Sequence, residues 1–252
     1  MWRETMTDRI AVVTGGSLGL GREVARCLLA DGYKVAIFGR GQASLDEAVA
    51  ELGGDALAVS VDVADNDSVV AGFAAVDRAL GPVSVLVNNA ALYRPFGIED
   101  ATPEAVQQLV NINYCGPVYC MREAVKRMRA HGAGGDIVNV SSESVRQSTP
   151  FFSVYTSTKA ALETMTRIIG EELREEGIRL MLFRVGRMHS HGAASMPVPE
   201  SLLPRFIERC TAEGASHWTG AGMVPASPAQ ALAALLRTPR DARVELVEVR
   251  SH

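Results

Sequence analysis

Ser142 in IVNVSS, with Tyr155 and Lys159 downstream in YTSTK, has the residue types and spacing to move a proton. A four-residue step on a helix puts Tyr155 and Lys159 on one face, so a phenol and an ammonium lie side by side. A phenol titrates at about 10 and works near neutrality only when its anion is stabilised, which a fixed neighbouring positive charge does. Ser142 could then hold a substrate oxygen by a hydrogen bond while Tyr155 exchanges the proton. Interconversion of a carbonyl and an alcohol needs that pair of acts. The tyrosine and lysine alone carry little, because their spacing is common on amphipathic helices.

A second group of residues suits an anion. Directly after the first apolar run comes TGGSLGLG, which places Gly15, Gly19 and Gly21 at the entry to a helix. Glycines there let the backbone turn sharply and approach a pyrophosphate, while the helix amides face the charge. The second apolar run ends in FGR, and Arg40 stands where a NAD-specific protein commonly carries Asp or Glu for the ribose hydroxyls. An arginine suits a 2'-phosphate, hence NADP(H) rather than NAD(H); the alternative is that Arg40 only opens a solvated turn. Asp62 in VDVAD could accept from an adenine amino group, or Asp62 or Asp65 could cap the next helix.

These residues need a scaffold, and the hydrophobic pattern supplies one. Apolar, β-branched runs fall at 9 to 14, 34 to 39, 56 to 61, 83 to 88, 136 to 141, 178 to 185 and 244 to 249. Between them, helical spacing occupies 19 to 31, 43 to 52, 65 to 80, 104 to 130, 153 to 176 and 228 to 236, with a further helix at 201 to 213. Strands alternating with helices predict an α/β fold, a Rossmann-type doubly wound domain whose seven-stranded parallel sheet carries helices on both faces. No linker interrupts residues 1 to 252, so a single domain is expected. The stretch from 187 to 227, rich in Gly, Ala, Ser and Pro, is expected to form a substrate-binding loop or lid.

Composition excludes several classes. A net charge of −4 without a basic stripe argues against nucleic acid. The apolar stretches are too short to span a bilayer, and the polar start MWRETMTDR lacks a signal-peptide core, so a cytoplasmic protein is expected. Cys27, Cys115, Cys120 and Cys210 show no CxxC spacing and are expected to be reduced thiols.

Taken together, TGGSLGLG, Asp62-Val63, NNAA at 88 to 91, Asn113 in NYCG, Ser142, YTSTK and Gly186 resemble the short-chain dehydrogenase/reductase family over nearly the whole chain. The resemblance implies an enzyme that moves hydride between a nicotinamide cofactor and a carbonyl or secondary alcohol carbon of a small molecule. Asn113, Ser142, Tyr155 and Lys159 would form its catalytic tetrad. Tyr155 would be the acid/base, Ser142 would orient substrate, Lys159 would bind the nicotinamide ribose, and Asn113 would hold a relay water. Asn111 is the rival for that asparagine role. Gly15, Ser17, Leu18, Gly19 and Leu20 would line the pyrophosphate, Asp62 and Val63 the adenine, and Asn89 and Ala90 the adjacent ribose. Gly186, Met188 and Ser190 would contact the nicotinamide, although Val185 and Met181 stand where the family commonly has proline and asparagine. The family also implies a homodimer or homotetramer built on the two long helices. Two other readings are an epimerase or dehydratase with retained cofactor, and a non-catalytic cofactor-binding regulator.

The segments 92 to 97, 143 to 152 and the stretch from 187 should shape the substrate pocket. They carry Arg94, Arg146, Arg187, His189 and His191, each either a pocket cation or a surface charge. His189 and His191 lack a third ligand at metal-binding spacing, so no metal is expected.

Overall fold

The computed structural model describes residues 9 to 147, 149 to 188, 198 to 212 and 222 to 251. Its seven strands are β1 (Ile10–Thr14), β2 (Lys34–Gly39), β3 (Ala56–Ser60), β4 (Val85–Asn88), β5 (Gly135–Ser142), β6 (Ile178–Val185) and β7 (Leu246–Val249). They form one sheet in the order β3-β2-β1-β4-β5-β6-β7, every pairing parallel. The order reverses between β1 and β4, and the crevice beyond their carboxyl ends is where such sheets take ligands.

The helices are α1 (Gly19–Ala30), α2 (Gln42–Leu52), α3 (Asn66–Ala79), α4 (Pro103–Val110), α5 (Gly116–His131), α6 (Ser153–Glu172), α7 (Leu203–Ala212) and α8 (Ala226–Leu236). Val24 and Leu28 of α1, Leu45 of α2 and Leu232 of α8 pack on one sheet face with Ala11 and Val13. Phe73 of α3 and Met121 and Ala124 of α5 pack on the other with Ile10 and Val12. Alternate residues of β1 thus enter opposite cores, and both must be apolar. The continuous hydrophobic runs have this cause.

Several boundaries differ from expectation, among them β4, which begins at Val85 rather than 83, and α8, which begins at Ala226 rather than 228. β7 begins at Leu246, two residues later than the apolar run. β5 extends through Ser142, so the expected substrate-orienting serine ends the strand itself. The helical pattern at 104 to 130 is α4 and α5 joined by a π-helical turn, Asn111–Cys115, in which the Gly116 amide bonds to the Asn111 carbonyl. The pattern at 153 to 176 is α6 followed by a 3-10 turn that Gly177 ends at φ 68°. Among the described residues no helix is long and apolar enough to cross a membrane.

Candidate active site

Helix α6 is bonded to β5 along its length. Lys159 donates from Nζ to the Val140 carbonyl at 2.9 Å, and Glu163 Oε1 accepts from the Ser141 hydroxyl at 2.6 Å. Thr166 Oγ1 accepts from Asn139 Nδ2 at 2.8 Å, and Asn139 Oδ1 accepts from Asn88 Nδ2 at 2.8 Å, which carries the connection to β4. Tyr155, Lys159 and Glu163 follow one another at four-residue steps and share the sheet-facing side of α6. Buried polar groups of this kind are costly unless paired, so the contacts fix the rotation of α6 against the strands. They also bring the Tyr155 phenol near enough to the Ser142 hydroxyl for the serine to act on its acidity.

The electrostatics differ from the sequence expectation. Burial pushes the Tyr155 phenol up to about 12, with the nearby Ser142 hydroxyl pulling the other way. Burial also brings the Lys159 ammonium down to about 8. The sequence suggested that Lys159 would hold the phenol down; instead, desolvation moves both groups toward their neutral forms. Ser142 Oγ accepts the Ser144 amide at 3.2 Å, so its own proton is free to point at an oxygen beside Tyr155.

Asn113 is fully buried, and its side chain is spent on one neighbour. Oδ1 accepts the Leu92 amide at 2.7 Å and Nδ2 donates to the Leu92 carbonyl at 2.9 Å. The clamp sets the 92 to 97 segment beside α6, and Tyr93 lies edge-on to Tyr155 with ring centroids 5.1 Å apart. Phe152 stacks on Tyr93 at 4.4 Å, and Phe206 of α7 meets Phe152 at 6.1 Å. Phe151 holds a left-handed φ of 67°, unusual for an aromatic residue, while its carbonyl accepts the Phe96 amide at 3.0 Å. The site beside Tyr155 therefore has an aromatic wall. Asn111, the rival asparagine, opens the π-helical turn.

The turn from β1 into α1 fits a dinucleotide. A Cβ on Gly21 would lie 2.2 Å from the Gly15 carbonyl oxygen, and one on Gly15 would lie 3.0 Å from the Ala90 Cα. Gly19 opens to free space, Leu18 makes no side-chain cap, and the first turn of α1 holds no acidic residue. Its amides are left for an anion. Asn89 donates to the Thr14 carbonyl at 2.9 Å, and Thr14 Oγ1 accepts the amides of Asn89 and Ala90 at 3.0 Å each. Ser17 is braced by Arg22, whose Nε donates to its carbonyl at 2.8 Å. Leu20 is buried beneath the turn. Arg40 is exposed at the end of β2 and has no ion-pair partner among the described residues. Asp65 caps α3 through the Asp67 and Ser68 amides, whereas the Asp62 side chain accepts, among the described residues, only the nearby Ala64 amide at 3.0 Å. Val63 is buried beside it and packs against Gly116.

At the end of β6, a Cβ on Gly186 would lie 2.8 Å from Glu143 Oε2, and Met188 forms a bridge with Met223. Ser190, His189 and His191 lie outside the described residues, as does part of the expected lid. Arg146 is exposed and donates to Glu248 at 3.2 Å, so its charge is spent away from Tyr155. Arg94 is half-buried with no ion-pair partner among the described residues. Sequence reasoning missed Asn139, Glu143, Glu163, Thr166 and Thr14. For Glu163 a signal existed, since it continues the four-residue step of YTSTK.

A parallel sheet whose strand order reverses, a glycine-rich turn at its switch point and a serine ending β5 beside a tyrosine and lysine of α6 fit a dinucleotide-dependent oxidoreductase. Residues 9 to 197 match the family model described as short chain dehydrogenase, and the chain belongs to that family. It is 38% identical over 196 residues to the uncharacterized oxidoreductase YgfF of Escherichia coli strain K12, covering 74% of this chain and 78% of that one. A single-residue variant of actinorhodin polyketide ketoreductase, solved with NADPH, superposes with a TM-score of 0.83 at 26% identity over 98% of this chain and 97% of that one. The 3-ketoacyl-(acyl-carrier-protein) reductase of Brucella melitensis, solved with NADH, gives 0.82 at 25% identity over 97% and 98%. The chain is an NAD(P)-dependent oxidoreductase acting on CH–OH and C=O groups of small molecules.

Proposed function

We propose that the chain is an NADP(H)-preferring oxidoreductase in which Tyr155 is the acid/base for a carbonyl or secondary alcohol. The nearness of the Ser142 hydroxyl, at the carboxyl end of β5, to the Tyr155 phenol of α6, with Lys159 buried one turn further along that helix and bonded to the Val140 carbonyl, carries this reading. In the reducing direction Tyr155 gives its proton to the carbonyl oxygen, which the Ser142 hydroxyl also holds by a hydrogen bond. Lys159 returns the proton to the phenolate. Asn113 has committed its side chain to Leu92, so a relay water would rest on its main-chain carbonyl. The bound nicotinamide supplies the hydride acceptor or donor.

Gly15, Ser17, Leu18, Gly19 and Leu20 would hold the pyrophosphate, Asp62 and Val63 the adenine, and Asn89 and Ala90 the ribose. Tyr155 and Lys159 would hold the nicotinamide ribose, with Gly186, Met188 and Ser190 at the ring. One solved neighbour holds NADPH and another NADH, so the fold takes either; Arg40, exposed and with no ion-pair partner among the described residues, favours the 2'-phosphate. Residues 187 to 227 act as the lid, a role supported by α7, whose Phe206 and Cys210 are buried in the aromatic cluster around Tyr155. A homo-oligomer built on α5 and α6 is supported by Ile168 of α6, which is 56% exposed; a monomer mass by light scattering would count against it.

Initial rates followed by nicotinamide absorbance, over a panel of ketones, aldehydes and secondary alcohols, test the proposal. Turnover with NADPH at least about tenfold above NADH is expected, and Tyr155→Phe should abolish it while NADPH still binds. Retained turnover in that variant would show the acid/base to be misassigned.

A further inference from the structure

Arg187 follows Gly186 just beyond the carboxyl end of β6, two residues after Val185, which pairs in register with Ser142. Its backbone is fixed on both sides. The amide donates to Glu143 Oε1 at 2.9 Å and the carbonyl accepts from the Met223 amide at 3.0 Å. Its guanidinium has no ion-pair partner among the described residues, and Nη1 is buried without a hydrogen bond. Glu143 is not bonded to the guanidinium: its Oε1 takes the Arg187 amide and its Oε2 takes Arg250 Nε at 3.3 Å. Nearby Arg184, by contrast, is bonded to Glu163 at 2.7 Å and Glu248 at 2.9 Å.

Because Val185 pairs with Ser142 and the Arg187 amide is held by the adjoining Glu143, Arg187 leaves the sheet at the Ser142 end, and its charge acts on the Tyr93 phenol. Tyr93 in turn lies edge-on to Tyr155 and against Phe152. A buried donor without an acceptor costs about 1 to 3 kcal/mol, more for a charged group. A planar cation held in that state at the Ser142 end of the sheet is matched by a carboxylate, which its fork can engage through two parallel bonds.

We propose that Arg187 binds the carboxylate of an oxo-acid or hydroxy-acid substrate, whose carbon skeleton lies against Tyr93 and Phe152 with its reacting oxygen toward Tyr155. This names the substrate class of the oxidoreductase reading and rests on it.

Binding can be tested without turnover. Benzoate and benzamide, titrated calorimetrically into the protein with excess NADP+, share a ring and differ in charge. Benzoate should bind at least about tenfold more tightly. Arg187→Gln should remove that difference, Arg187→Lys should keep part of it, and Arg94→Gln should keep all of it. Equal affinity for the two compounds, no benzoate binding, or a preference that survives Arg187→Gln would overturn the proposal. So would loss of NADP+ affinity in Arg187→Gln with the benzoate preference intact, which would assign the side chain to the cofactor. In a parallel rate measurement, Arg187→Gln should raise KM for an α-oxo acid about tenfold and leave the acid indistinguishable from its methyl ester. Failure of acid, ester and every other carbonyl to turn over would sink the oxidoreductase reading, while the calorimetry would still decide the role of Arg187.

Discussion

Asn113 grips the Leu92 backbone from both sides, accepting its amide at 2.7 Å and donating to its carbonyl at 2.9 Å. The contact joins the helical turn at 111 to 115 to the segment that carries Tyr93 into the pocket. Asn113→Ala leaves a buried amide and a buried carbonyl without partners, and should lower stability by about 2 to 3 kcal/mol. Urea denaturation reads this directly. An unchanged midpoint would mean that Asn113 serves the relay alone.

Lys159→Met should raise stability while removing turnover. Burial lowers the lysine from its ordinary 10.5 to about 8, so between those pH values the unfolded chain binds more protons than the folded one. Stability from this group therefore rises with pH through that window, and the full cost stands below it. At pH 7 the variant should gain up to about 3 kcal/mol, less the lost bond to Val140. The advantage should shrink toward pH 10, as urea midpoints at the two pH values will show.

Arg40→Asp should invert cofactor preference. The side chain is exposed and unpaired among the described residues, so stability should change by less than about 0.5 kcal/mol. KM for NADPH should rise at least about tenfold while that for NADH falls or holds. Parallel increases for both cofactors would place Arg40 away from the 2'-phosphate.

Glu163→Gln tests the bonding between α6 and the sheet. The carboxylate accepts from Ser141 at 2.6 Å and from two Arg184 nitrogens at 3.0 and 2.7 Å. Removing its charge should cost about 2 to 3 kcal/mol, moderated because Arg184 keeps Glu248. Replacing Glu163 and Arg184 together by Leu and Met should recover much of the loss, since no charge is then buried alone. Thermal melts of Glu163→Leu, Arg184→Met and the double form the cycle.

The strands were legible because both faces of this sheet are covered, which makes each strand a continuous apolar run. Tyr155, Lys159 and Ser142 were legible as a spacing, and the structure brings them together. Cations were legible only as residue types. Arg146 and Arg187 looked alike in the sequence, and only the Glu248 carboxylate beside one of them separates a surface pair from an unpaired donor. The direction of the Tyr155 and Lys159 shifts was not legible either, because desolvation depends on what surrounds both groups. The π-helical turn escaped because one inserted residue barely disturbs apolar periodicity across a long helix.

The inserted residue also fixes how many residues this part of the chain must have. The turn at Asn111–Cys115 closes across five residues where an α-turn closes across four. Deleting one residue there would let the chain settle into an unbroken α-helix, turning α4 by about 100° relative to α5. With α5 fixed to the sheet through Met121 and Ala124, the rotation would fall on α4. Ala105 and Leu109 would swing away from the cluster around Tyr155. The helix therefore tolerates a change of letter at this point far better than a change of count, and a single-codon deletion would put the pocket wall out of phase with the sheet that holds Tyr155.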